Sequence, residues 1–488
     1  MLNKKIDLNR KQVEMVSIEE LLPKDHLLRY IDQTIKWDFI YDLVKDCYSE
    51  IGRPGIDPVV LIKIAFIQYM FGIRSMRQTI KDIEVNIAYK WFLGFDFFDK
   101  VPHFSTFGKN YKRRFEGTNL FEQIFTRIID EAVNCGFIQA ENIFIDATHI
   151  KASANKNKYE NKEIEKSTKH YHEELIKEIN SDREEHGKKP FKDKDDDNNR
   201  SGEVSSELKS IKESKTDPDS GLLHKSEKEK CFAYSAHTAC DENNFVLGFE
   251  VTAANIHDSI MFNRVYEKVT SKFENVNTVA IDAGYKTPYI CKTVLEDGRI
   301  PAVAYKRPYT QEGFFKKYEY AFDEFYDCYI CPNNEILKYS TTNREGYREY
   351  KSDPQKCMGC GYRTQCTNSK NSVKVVTRHV WEKYVEEADH CRHIPEVKQI
   401  YQQRKETIER VFADAKEKHG MRYTHLRGLI KLKREVTLIF SCMNLKKLAM
   451  MKRRKGLIGP NPEFLKMFFN KILRFATKKA HPRAVYSS

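Results

Sequence analysis

No stretch of this chain approaches the roughly 18 uncharged apolar residues that a membrane-spanning helix requires. Even the apolar run Val59 to Phe71 is broken by Lys63 and Gln68. The basic N-terminal stretch has no apolar core behind it, so the pattern of a secretory signal is missing. A soluble, cytoplasmic protein is expected. Without a secretory route the 12 Cys are not expected to form disulfides, which leaves buried thiols or metal ligands. Global disorder is excluded as well, because hydrophobic residues make up 40% of the chain and aromatics 12%, enough for a core.

What is present in excess is positive charge. The 488 residues carry 83 Lys and Arg against 70 Asp and Glu, a net of +13. The length fits roughly three domain-sized units, or one large domain stretched by insertions. Residues 155–230 hold 18 basic and 20 acidic side chains and are close to neutral, whereas residues 398–488 hold 23 basic and only 6 acidic ones. A basic surface concentrated in one part of the chain is what a nucleic-acid partner selects for. For Lys452 to Lys455 alone, a solvated basic tail is the simpler reading.

The periodicity divides the chain further. Residues 16–135 read as helical. Asp57 caps a helix that starts at Pro58 and stops at Gly72, a second helix follows Ser75, and a third starts near Ser105 and ends in Lys112, Arg113 and Arg114. Short helices joined by tight turns fit a helix-turn-helix DNA-binding unit, with a plain helical bundle as the competing reading. The segment 155–230 is helical in propensity and polar, and is expected to be a charged insertion, partly helical and partly disordered. Asn142 to Ala147 and Asn277 to Ala283 read as short β-strands. Cys231 to Asp241 and Phe245 to Thr252 read as a hairpin turning at Asp241 to Asn244. A long helix is expected from Pro395 to His419, stopped by Gly420. This order points to one α/β core interrupted by insertions.

Asp146 and Asp282 each end an apolar strand, where open α/β sheets place their ligand sites. A turn cap is the alternative for either one alone, but a matched pair can share an ion. Glu409, at the margin of the apolar stripe of the late helix, is the third carboxylate candidate; a salt bridge to Arg404 or Lys405 is the structural alternative, and Glu406 is the other carboxylate nearby. Three carboxylates within about 5 Å repel by several kcal/mol per pair, so they need cations. Oxygen donors without Cys or His select Mg²⁺ or Mn²⁺, and two such ions serve the cutting and joining of phosphodiesters.

At these positions the sequence resembles the DDE transposases of bacterial insertion sequences, most closely the group numbered eleven-eighty-two. The motifs that carry the resemblance are GRPGIDPVVLIKIAFIQYMFGIRSMRQT, HFSTFGKNYKRRF, FIDATHIKASANKNK around Asp146, TDPDSG, AYSAHTACD, VTAANIHDS, AIDAGYKTP around Asp282, RKETIERVFADAKEKHGMRYTHLRGL around Glu409, and NLKKL. The resemblance implies an α/β RNase H-like catalytic core with insertions, preceded by an all-α, helix-turn-helix-like N-terminal domain. It further implies that Asp146, Asp282 and Glu409 bind the catalytic Mg²⁺ or Mn²⁺, and that Tyr401, Arg404 and Lys416 flank the Glu and contact DNA. Arg404 lies one residue further from Glu409 than the commoner pattern, which leaves Lys405 as its alternative. Arg113 and Arg114 are expected DNA contacts. His257 and Asp258 follow a strand of the same core and default to a structural turn.

Cys328-x-x-Cys331 and Cys357-x-x-Cys360 are separated by a ribbon-like interval, and together can close a structural Zn²⁺ site with Cys366 as an alternative ligand. The expected organisation is a helical DNA-binding domain (1–135), an RNase H-like core (136–154, 231–322 and 371–450), a charged insertion (155–230), a Cys-rich zinc-ribbon insertion (323–370) and a basic tail (451–488). The expected function is a transposase, homodimeric in its active complex and nucleoid-associated, that binds the terminal inverted repeats of its element, cleaves double-stranded DNA and joins it to a target. A metal-dependent nuclease without strand transfer and an inactive, domesticated DNA-binding protein are the alternatives.

Overall fold

Asp57 starts the first long helix as its sequence leads one to expect: its carboxylate accepts the N–H groups of Val59 and Val60 at 2.7 and 3.4 Å, and Pro58 occupies the first turn. In this computed structural model, which describes residues 13, 15–49, 51, 55–165, 171–191, 208–224, 230–305 and 309–459, that helix runs Pro58–Met70. Gly72 ends it with φ of +63°, and a Cβ there would lie 2.8 Å from the carbonyl oxygen of Lys418. Ser75 caps Met76–Val85, and Ser105–Asn110 continues into a π-helical turn, Tyr111–Phe115.

The chain divides into two units. One holds the described residues up to Ile138, Phe412–Thr424 and the described residues from Ile430 onward; the other holds Gln139–Val411 and His425–Leu429. The first unit is helical. Ile62, Ile64, Phe66 and Ile67 are buried on all sides of Pro58–Met70, and Trp37 meets Phe66 and Phe92 edge-on at 5.3 and 5.8 Å. The helix Leu120–Asn134 buries Leu120, Ile124, Ile128 and Phe121, Phe125, Ile129 at helical spacing.

The basic C-terminal segment departs from expectation. Leu429–Arg454 is one helix whose buried Val436, Ile439, Phe440, Leu445 and Leu448 join the N-terminal helices in the same unit. Cys442 Sγ lies 3.6 Å from Phe66 O, and Lys452 is no tail residue: it is buried, donates to Thr34 O at 3.0 Å and pairs with Glu131. The helix therefore runs beyond the expected core boundary at 450, and the expected tail from Pro460 on lies outside the described residues.

The second unit is built on a mixed sheet. Its strands are β1 (Asn142–Lys151), β4 (Gly221–His224), β5 (Lys230–Asp241), β6 (Val246–Ala253), β7 (Thr278–Ile281) and β8 (Ile300–Val303). β5 pairs antiparallel with β1 on one side and with β6, while β1–β7 and β7–β8 are parallel. The β5–β6 hairpin turns where expected, through Asn244 at φ +63°. Helix Asp258–Thr270 lies against β5 and β6.

Two expectations for the insertions change. β2 (Tyr159–Glu165) and β3 (Leu208–Ser214) form an antiparallel ladder where helix was expected, because a paired partner strand overrides weak local helix propensity. Helix His172–Glu185 lies between these two strands in the chain and buries Leu175 and Ile179 with Val380 and Trp381, so this segment does contribute a small core. Most of its polar run lies outside the described residues. The Cys-containing region is a five-stranded antiparallel sheet of β9 (Ala321–Asp323), β10 (Cys328–Ile330), β11 (Ile336–Thr342), β12 (Tyr347–Lys351) and β13 (Val375–His379), so it extends past residue 370. Among the described residues no helix is long and apolar enough to cross a membrane.

The buried C-terminal helix yields a stability test. Leu445→Ala is expected to cost about 3 kcal/mol in urea unfolding, whereas Ile430→Ala, 76% exposed, changes it by less than about 0.5 kcal/mol. Equal, small effects would show that the helix is not integral to that unit.

Candidate active site

The two apolar strand cores that precede the aspartates fix their separation. Ile143, Phe144 and Ile145 of β1 and Val279, Ala280 and Ile281 of β7 are fully buried, and Ile145 is in register with Ile281. The next residue on each strand is an aspartate, so Asp146 and Asp282 stand side by side at the carboxyl ends of neighbouring parallel strands, about 5 Å apart in backbone spacing.

A single guanidinium joins them. Arg404 donates through Nη2 to Asp146 Oδ2 at 2.7 Å and through Nη1 to Asp282 Oδ1 at 3.1 Å. The Arg404 side chain is 7% exposed, that of Asp146 21% and that of Asp282 52%. Arg404 was expected to face DNA, but the two carboxylates claim it. The expected continuous helix from Pro395 is broken to make this possible: Pro395–Gln402 gives way to a 3₁₀ turn, Gln403–Lys405, and a new helix, Ile408–Lys418. Thr407 Oγ1 donates to Gln403 O at 2.8 Å across the break.

Glu409, in the first turn of the new helix, is exposed and does not complete a three-carboxylate cluster with the two aspartates. One guanidinium between two ionised carboxylates already leaves a net charge of −1, and a third unpaired carboxylate would add several kcal/mol of repulsion. Glu406 and Lys405 are exposed, and the Tyr401 ring lies 5.6 Å from the Arg404 guanidinium. Lys416 is half-buried and falls in the helical unit. Arg113 and Arg114 are in that unit too; Arg113 is exposed, while Arg114 stacks 4.2 Å from the Tyr48 ring and bonds Asn110.

Three residues near the pair carried little or no weight in the sequence. Asp258 opens helix Asp258–Thr270, and its Oδ1 lies 3.6 Å from His237 Nδ1 on β5. Burial pushes His237 down to about 4, so it is neutral at physiological pH, and its Nε2 meets Thr252 Oγ1 at 2.9 Å. Tyr285, three residues after Asp282, is buried with a phenolic oxygen that has no hydrogen-bond partner; burial, then the charges of Asp258 and Asp146, push its ionisation far up. The motifs NIHDS and AIDAGYKTP contain Asp258 and Tyr285, but only the fold brings them to Asp146. Burial raises Asp146 itself to about 6, with Arg404 pulling down and Asp282 and Asp258 pushing up.

Of the five Cys expected near a metal, Cys331, Cys357, Cys360 and Cys366 line one cavity, and Cys328 is not among its walls. Among the described residues no three His, Cys, Asp or Glu side chains already stand as a preformed metal cage.

Residues 16–113 match a family model described as a transposase domain, DUF772, and residues 330–449 match one described as a transposase DDE domain. Together the two matches cover under half of the chain and support a DDE transposase of an insertion sequence. The second match includes Arg404 and Glu409, and neither match includes Asp146 or Asp282. No curated protein and no solved structure matches the chain.

The raised Asp146 sets a pH dependence. A carboxyl raised in the folded state stabilises the fold at low pH, and that contribution is lost as pH rises through about 6. In metal-free buffer the wild type is expected to lose stability between about pH 4 and 6, while Asp146→Asn shows no such loss and is more stable at neutral pH by on the order of 2 kcal/mol. Parallel denaturation curves for the two proteins across that range would rule out Asp146 as the perturbed group.

Proposed function

We propose that this transposase binds the terminal inverted repeats of its element as a homodimer, and uses Mg²⁺ or Mn²⁺ at Asp146 and Asp282 to cleave DNA and transfer the freed strand to a target. The observation that carries this reading is the aspartate pair on adjacent parallel strands, sharing one cation. The strand order β6–β5–β1–β7–β8, with three antiparallel strands followed by two parallel ones, supports an RNase H-like core around that pair.

The donor set fits hard divalent cations. Two carboxylates already converge on a positive group, no Cys or His lies between them, and the buried Tyr285 hydroxyl beside them is unpaired. Asp146 and Asp282 would hold the ions, and Glu409 is proposed as the third ligand. When bound, two such ions activate the attacking oxygen and stabilise the leaving oxygen of a phosphodiester. The chain's own residues do the rest. Arg404, released from the carboxylates, can bind a non-bridging phosphate oxygen, and neutral His237 holds its tautomer against Asp258 and Thr252. Lys405 and Tyr401 of the one unit, and Lys416, Arg113 and Arg114 of the other, supply charge and polar contacts to backbone phosphates.

Asp146→Asn, Asp282→Asn and Glu409→Gln are each expected to reduce cleavage of element-end DNA more than about a hundredfold, with binding in a gel-shift assay unchanged. Near-wild-type cutting by any one of them removes that residue from the ligand set.

A further inference from the structure

We propose that Cys331, Cys357, Cys360 and Cys366 hold one structural Zn²⁺, and that Cys328 takes no part. Pairwise spacing favours Cys328 with Cys331, but a strand reverses side-chain direction at every residue, so positions three apart point to opposite faces. β10 shows this. Tyr329 and Cys331 face the cluster of Tyr320, Leu337, Tyr350 and Val376, which Cys366 also joins. Cys328 lies on the other face, in register with Asp323 and Lys338.

The remaining four thiols line one partly open cavity of about 30 Å³, room for one ion. Two of the sulfurs already have donors beside them: Glu335 N–H is directed at Cys331 Sγ at 3.4 Å, and Tyr320 Oη lies 3.2 Å from Cys366 Sγ. Donors to sulfur of this kind stabilise metal-bound thiolates. Cys357, Cys360 and Cys366 sit on or between the short helices Pro354–Met358 and Arg363–Cys366, neither of which buries a single residue. A segment without its own core needs another fastening, and a tetrahedral Cys₄ zinc site supplies one. Among the described residues no three of these side chains already sit at ligand spacing, so the proposed site forms only as the thiols draw together on the ion.

On binding, four thiols release four protons as Zn²⁺ binds four thiolates. The test uses the full-length protein purified under reducing conditions. Zinc content is measured by elemental mass spectrometry, and thiolate ligation by the thiolate-to-cobalt charge-transfer band after Co²⁺ exchange. Wild type and Cys328→Ser are expected to hold one zinc per chain and give a four-thiolate cobalt spectrum. Cys331→Ser, Cys357→Ser, Cys360→Ser and Cys366→Ser are expected to lose at least about tenfold in zinc affinity. Cys366→Ala and Cys366→Asp, compared by circular dichroism and by zinc content, separate ligand loss from misfolding: Asp, an oxygen donor, recovers part of the binding that Ala does not. Zinc loss in Cys328→Ser with retention in Cys366→Ser would overturn the ligand set. Zinc-free wild type, or disulfides among these thiols, would overturn the site.

Discussion

The bond from Arg404 to both Asp146 and Asp282 is the constraint around which the catalytic unit is arranged. Two carboxylates at neighbouring strand ends are costly together, and a cation between them offsets that cost. The guanidinium meets the need with one donor for each acid, in the forked geometry that suits two carboxylates. Its demands extend outward. The strand register must bring Ile145 level with Ile281, and the chain after Gln402 must leave its helical path so that Arg404 turns inward.

Under the proposed metal role, the same bond gives the site a resting state that resembles its working one. A pair of acids that closes on a guanidinium is pre-organised for another cation, since the donor atoms point to a shared position before any ion arrives. On that proposal the attraction must be exchanged: a divalent ion would gain both aspartates only as Arg404 gives them up. Burial, which raises Asp146 to about 6, works in the same direction by making an unpaired charge there costly. The site is thus stable only with a positive partner, and the partners available are Arg404, a proton or a metal.

Much of the fold was legible because its signals are local. Asp57 with Pro58 marks a helix start, apolar runs ending in Asp mark β1 and β7, and Asp241 to Asn244 marks a hairpin turn. What escaped depends on contacts far apart in sequence. The alternating Tyr159–Glu165 reads as helix until β3 is placed beside it, and the bond from Arg404 to two aspartates is not visible until their strand ends are seen to lie within its reach. Leu429–Arg454 hides its membership of the N-terminal helical unit because Lys431, Lys433, Lys446 and Lys447 are interleaved with its buried face. His237 and Tyr285 lie inside the quoted motifs AYSAHTACD and AIDAGYKTP, but nothing in those motifs marks them for a site; burial next to acidic groups is what sets them apart. Glu409 was legible as a candidate, but its distance from the aspartates was not.

If Arg404 and a divalent metal compete for one pair of aspartates, as proposed, Mn²⁺ binding measured by titration calorimetry on DNA-free protein reports that competition directly. Mn²⁺ is expected to bind wild type, to bind Arg404→Ala more tightly, and to be lost from Asp146→Asn and Asp282→Asn. Unchanged affinity in Arg404→Ala, together with retained binding in both aspartate variants, would contradict it.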